Sequence, residues 1–184
     1  MENSKLIRCF IALELSREAI NEVEEIQKLV KKKNFFFGKF TEPENLHLTI
    51  KFLGEISEER IKEVQENLRR IKLNSFEASL GEIGCFSEKI VRILWIKLLG
   101  KEIWELQKEI DKSLEGVGFK PEERFMSHIT IARIKKVINK KEFLDYIKSL
   151  KHRKVRFKIK EFCLKKSELM SDGPVYTDVE RYNL

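Results

Sequence analysis

The chain has 184 residues, 42% hydrophobic and 36% charged; its 13 Phe exclude a disordered chain, and only 8 Gly and 3 Pro exclude collagen-like or low-complexity classes. At this length a single domain or two small lobes bury roughly 70% of the unfolded surface. Lys and Arg number 37 against 30 Asp and Glu, and the net charge of +7 favours polyanions, nucleic acid before membrane.

Along the chain the hydrophobic period alternates between two and 3.6. Ile7 to Leu15 reads as a strand, and Ser16 caps a helix carrying Ile20, Val23, Ile26 and Val30, which ends in Lys31-Lys32-Lys33. A Phe-rich loop through Gly38 and Pro43 leads to a strand from Leu46 to Leu53. Ser57 opens a helix with Ile61, Val64, Leu68 and Ile71 on one face, and a strand follows from Phe76 to Ile83. The order then recurs. Val91 to Leu99 is a strand, Ile103, Leu106, Ile110 and Leu114 line a helix stopped at Gly116 and Gly118, and Phe125 to Ile134 is a strand. Asn139 and Glu142 form a capping box for a helix through Ile147 and Leu150, and Val155 to Leu164 and Val175 to Tyr182 close as strands.

This pattern predicts an α+β protein, bilobal and internally duplicated, with antiparallel sheets facing a central groove. Residues 1–184 form a single two-lobed domain with approximate halves at 1–88 and 89–184. Cys9, Cys85 and Cys163 are widely spaced among apolar neighbours, which predicts reduced core thiols rather than a disulfide or zinc site. The apolar stretch between Arg8 and Glu14 is too short for a signal peptide, and no run reaches the ~18 apolar residues of a membrane span. The expected location is the cytoplasm, without membrane contact.

The strand after the first helix of each half carries the same signature: Leu46-His47-Leu48-Thr49-Ile50 in one and Ser127-His128-Ile129-Thr130-Ile131 in the other. In a strand, positions two apart share a face, so His47 joins Thr49 and His128 joins Thr130. Leu46, Leu48, Ile50 and Phe52 are expected on the opposite, core side. An approximate twofold between the lobes would bring both pairs to one groove. Two imidazoles with pKa about 6.5 can divide the roles of base and acid in phosphodiester hydrolysis. The Thr hydroxyls can donate to the non-bridging phosphate oxygens. The scheme requires no metal or other cofactor.

The sequence resembles the two-histidine phosphoesterases, in particular the RNA 2′,3′-cyclic phosphodiesterases also called 2′-5′ RNA ligases. The resemblance runs through Arg8 to Glu14, Pro43 to Gly54, Arg124 to Arg133 and Ser167 to Tyr176. It implies metal-independent opening of a 2′,3′-cyclic phosphate to a 2′-phosphate, with His47 the general acid and His128 the general base. The implied substrate is an RNA or nucleotide with a 2′,3′-cyclic phosphate end; no obligate protein partner is evident in the sequence, and a monomer is expected. The chain departs from the family where Lys39-Phe40-Thr41 replaces a common aromatic such as Trp, and where Ser127 replaces a common Pro.

Secondary candidates carry open alternatives. Arg133 is an attractive phosphate ligand, but strict alternation turns it away from His128 unless a bulge or a long reach intervenes. Phe10 could stack a nucleobase or sit in the core. Tyr176 could line the site or only pack. The Phe35-Phe36-Phe37 loop reads equally as an RNA platform or a hydrophobic plug, and His152 reads as solvated surface in a charge run. Reversible 2′-5′ ligation at the same site and a non-catalytic RNA- or nucleotide-binding module are the alternatives to hydrolysis.

Overall fold

A computed structural model of the chain describes residues 6–171 and 173–184. In chain order the elements are β1 Ile7–Glu14, α1 Arg17–Lys33, β2 Phe36–Phe40, a short 3-10 turn Pro43–Asn45, β3 His47–Ile56, α2 Glu58–Leu68, β4 Phe76–Cys85, β5 Ile93–Leu99, α3 Lys101–Glu115, β6 His128–Val137, α4 Lys140–Ser149, β7 Arg156–Ile159, β8 Glu161–Met170 and β9 Gly173–Asn183. The caps are those the residues demand. Ser16, Ser57 and Asn139 each accept a hydrogen bond from the backbone N–H three residues on, satisfying a donor that the first helical turn leaves unpaired.

The strands join in one sheet in the order β7-β4-β5-β6-β3-β1-β8-β9, with β2 also paired to β6. Every pairing is antiparallel. The sheet nearly divides at its centre, where β3 and β6 share only the Leu48–Ile129 pair. Beyond it β6 pairs with β2 instead, and the two sides splay into lobes with a groove between them.

Helices α2 and α3 cover the outer face of the β1-β3-β8-β9 lobe; Arg69, at the C-terminal end of α2, bonds Glu180 on β9, and Asp111 on α3 bonds Lys51 on β3. Helices α1 and α4 cover the other lobe, where Phe35 and Phe36 pack on Phe143 of α4. Each lobe therefore draws strands from both halves of the sequence. The buried aliphatic residues of both lobes form one connected core.

Three elements differ from expectation. The Phe-rich loop is in part a strand, β2, because its backbone finds a partner along β6. Phe35 is buried and packs on Phe143 and Tyr146, Phe36 is half-buried and Phe37 is 60% exposed, so two of the three rings plug their own lobe. The run Val155 to Leu164 is two strands: β7 pairs with β4 and β8 with β1, and the chain crosses between lobes at Lys160. No Gly or Pro marks that break. The strand expected from Phe125 begins only at His128.

Cys9 and Cys163 are buried thiols, whereas Cys85 is half-buried; all three are free. Burial pushes the thiol pKa up to about 11 at Cys9 and Cys85 and about 12 at Cys163. No helix among the described residues is long and apolar enough to cross a membrane.

Candidate active site

β3 and β6 carry the two His-x-Thr signatures side by side, and each strand breaks its alternation at the same point. Along β1, Ala12 opposes Thr49 and Ile11 opposes Lys51, which leaves Ile50 as an extra residue. Along β5, Trp95 opposes Thr130 and Leu94 opposes Ala132, which leaves Ile131 extra. Both are β-bulges, and in each strand two successive residues are buried, Ile50-Lys51 and Ile131-Ala132. The bulge reverses the parity of the residues beyond it. Phe52 therefore joins His47 and Thr49 on the groove face, and Arg133 joins His128 and Thr130.

This resolves Arg133 in favour of the groove and corrects the expectation for Phe52. Its ring is 71% exposed in the groove wall instead of buried opposite His47. The Ile131 bulge is pinned from α1: Gln27 Nε2 donates to Ile131 O at 3.0 Å and to Thr41 O at 2.8 Å, and Thr41 N–H donates to Ile131 O at 2.9 Å.

The groove has a volume of about 1050 Å³, and His47, Thr49, His128, Thr130, Arg133 and Tyr176 all line it. The imidazoles are held alike. His47 Nδ1 lies 2.7 Å from Asn45 O and His128 Nδ1 lies 2.8 Å from Met126 O. A carbonyl only accepts, so the Nδ1 position carries the proton in each ring. In a neutral ring that leaves Nε2 bare, as an acceptor. Thr49 Oγ1 sits 3.0 Å from His47 Nε2 and donates to it.

The surroundings disfavour a proton on either Nε2. Burial pushes the His47 pKa down to about 4, helped by the charges of Lys165 and Arg133 and opposed by Asn45 O and Glu14. Burial, assisted by Arg133, also lowers His128. Arg133 further lowers the Tyr176 phenol, whose pKa burial nonetheless raises. The guanidinium charge is thus felt at both imidazoles and at Tyr176.

Phe10 lines the groove but is only 4% exposed; its ring lies 5.0 Å from His47 and 5.0 Å from Tyr176. It packs beneath His47 and offers no open face to a base. Tyr176 stands edge-on to His47 at 5.2 Å. Across the groove Phe86, 50% exposed, meets His128 edge-on at 4.7 Å. Ser127, where the resemblance expects Pro, is buried with its hydroxyl donating to Leu98 O at 2.5 Å, so it fastens the start of β6 to β5. His152 is half-buried, with Nε2 2.7 Å from Gly81 O and Nδ1 2.8 Å from Arg153 O, rather than freely solvated.

Phe52 and Phe86 escaped the sequence reading. Phe52 had a signal, since it stands at the same offset from His47 as Arg133 does from His128. Phe86 had none, because only folding brings its loop to His128. Among the described residues, Glu14, Glu161 and Cys163 are the group with spacing suited to a metal ion. The two carboxylates are already ion-paired with Arg181, and Glu14 also with Lys165.

The family described as LigT like Phosphoesterase matches the chain over residues 13–95 and 98–176. Among curated relatives, the RNA 2′,3′-cyclic phosphodiesterase of Methanocaldococcus jannaschii is 35% identical, over 96% of this chain and 100% of its own. That of Methanothermobacter thermautotrophicus is 33% identical, over 97% and 99%. Among solved structures, the TT0787 protein of Thermus thermophilus superposes with a TM-score of 0.84 at 27% identity, covering 97% of this chain and 98% of that one.

Proposed function

This chain belongs to the LigT-like phosphoesterase family, and on that footing we propose that it hydrolyses the 2′,3′-cyclic phosphate end of RNA to a 2′-phosphate without a metal ion. The observation that carries the reading is the matched pair of imidazoles, each tethered at Nδ1 by a backbone carbonyl so that Nε2 meets a common groove beside a Thr hydroxyl and Arg133. The curated relatives named RNA 2′,3′-cyclic phosphodiesterase supply the substrate class.

In the proposed step His128 Nε2, neutral, takes a proton from water as the water oxygen attacks phosphorus. The phosphorus–O3′ bond breaks, and His47, carrying a proton on Nε2, gives it to O3′. A 2′-phosphate and a free 3′-hydroxyl result. Thr49, Thr130 and Arg133 donate to the non-bridging oxygens as their charge builds. The assignment of acid to His47 and base to His128 rests on the family resemblance. The substrate phosphate adds its negative charge to that of Glu14, offsetting Lys165 and Arg133 and favouring the protonated ring.

The test is turnover of an RNA ending in a 2′,3′-cyclic phosphate, in EDTA, by the wild type and by His47→Ala and His128→Ala. Each substitution is expected to lower kcat by at least ~100-fold, the usual worth of a positioned acid or base. RNA binding that survives in all three proteins with no turnover in any would leave a binding module in place of an enzyme.

A further inference from the structure

The reaction proposed above engages one phosphate and the sugar that bears it, and the open face of the sheet continues past the groove across β5, β4 and β7. Strand register sets which side chains lie on that face. Lys97 on β5 is directly opposite His128 on β6, and Leu99 on β5 is opposite Ser79 on β4. Ser79 is in turn opposite Arg156 on β7, and Glu77 is opposite Lys158. Cross-strand partners share a face, and β5 alternates without interruption from Ile93 to Leu99. Lys97, Arg156 and Lys158 are therefore on the side of His128 and Thr130, away from α1 and α4. Three strand spacings separate β6 from β7, on the order of 15 Å.

Charge at the β7 end of this lobe is lopsided. From Lys151 to Lys160 the chain carries Lys151, Arg153, Lys154, Arg156, Lys158 and Lys160, all exposed, with no acidic residue among them. Among the described residues Arg153 pairs with Glu22, while Lys154, Arg156, Lys158 and Lys160 form no ion pair. The acidic groups facing the strip are Glu82, already bridged by Lys97 at 3.0 Å, and Glu77. The other lobe is the opposite case. There Arg8 pairs with Glu55, Lys166 with Glu168, and Lys165 and Arg181 with Glu14 and Asp178. The rim on that side is apolar, with Leu6, Leu169 and Val175 exposed.

We propose that the open face running from His128 across Lys97 to the β7 strand is the track for the single-stranded RNA upstream of the cyclic end, its phosphates lying against Arg156 and Lys158 and passing Lys160, exposed just beyond the strand. The inference rests on the reaction proposed above for its terminal phosphate, and it makes an oligonucleotide a better substrate than a cyclic mononucleotide. Cations on an edge strand also discourage strand-to-strand aggregation. That role is indifferent to RNA length, and the experiment separates the two.

The variant Arg156→Thr/Lys158→Thr/Lys160→Thr removes the charges and keeps residues that suit a strand. It is compared with the wild type and with a control lacking three exposed helical lysines, Lys31→Gln/Lys32→Gln/Lys62→Gln. Substrates are a 2′,3′-cyclic mononucleotide and a roughly ten-nucleotide RNA with a 2′,3′-cyclic phosphate. The β7 variant is expected to lose about tenfold in kcat/KM on the oligonucleotide and nothing on the mononucleotide. Its salt slope for binding the 3′-phosphorylated oligonucleotide should fall by about 2, for three lost phosphate contacts. An equal loss in the control, or an unchanged salt slope in the β7 variant, would overturn the track. Absence of turnover by the wild type, with the β7-dependent slope intact, would instead overturn the reaction and leave the track standing.

Discussion

His47 sits among groups that oppose its charge: its pKa falls to about 4 through burial, with Lys165 and Arg133 adding to the effect. The effect on stability depends on which state takes the proton. Between the ordinary value of 6.5 and about 4, the unfolded chain binds a proton that folded His47 refuses, so stability drops as pH falls through that window and is unaffected above it. His47→Gln, which cannot titrate, is expected to remove part of this acid limb, read as the difference in Tm between pH 7 and pH 4.5. The same environment makes the ring responsive to an anion. Inorganic phosphate in the groove adds negative charge against Lys165 and Arg133, and the His47 imidazole followed by NMR should titrate at higher pH with phosphate present than without it. An unchanged titration would mean that phosphate does not reach this ring.

At the scale of elements, the groove depends on one bulge in each central strand, at Ile50 and at Ile131. Without the Ile131 bulge Arg133 would point into the core between β6 and α1, where an unpaired guanidinium is untenable. The bulge carbonyl is held by Gln27, one of few polar side chains on the inner side of α1. Gln27→Leu keeps the helix and its volume but strips Ile131 O and Thr41 O of a donor. It is expected to cost about 1 kcal/mol in stability and to lower kcat/KM more than its stability loss explains. Activity at the wild-type level would show that the bulge holds without it.

These details also mark where the sequence stopped being legible. His-x-Thr repeated in a duplicated pattern identified both strands and four groove residues, because a period of two is a local property that survives folding. Helix starts were legible for the same reason, since Ser16, Ser57 and Asn139 bond their own first turns. Bulges are not local. Ile50 and Ile131 look like any core residue, and only the partner strands β1 and β5 reveal that each is one residue too many. Nor could the single strand expected from Val155 to Leu164 disclose that its two ends join different lobes.

The whole molecule must keep two lobes in register although their central strands share a single residue pair. A buried polar link helps to do this. Lys51, on the core side of the Ile50 bulge and 4% exposed, donates to Asp111 on α3 at 2.5 Å and to Lys120 O at 2.6 Å. Asp111 also accepts from Gln107 Nε2 at 2.5 Å and from the backbone N–H of Glu122 at 2.8 Å. The strand of His47 is thereby fastened to the segment that runs on to Met126, whose carbonyl orients His128. Asp111→Ala leaves a buried ammonium without its partner and should cost about 3–5 kcal/mol. Lys51→Met/Asp111→Leu replaces the pair with apolar volume and should recover most of that loss. It cannot restore the bonds to Lys120 O and Glu122 N–H, so the segment before His128 stays loose. The double variant is therefore expected to melt near the wild-type temperature yet keep a reduced kcat. Full activity in that protein would reduce the pair to packing; low activity at full stability would make it the element through which one lobe aligns the other's histidine.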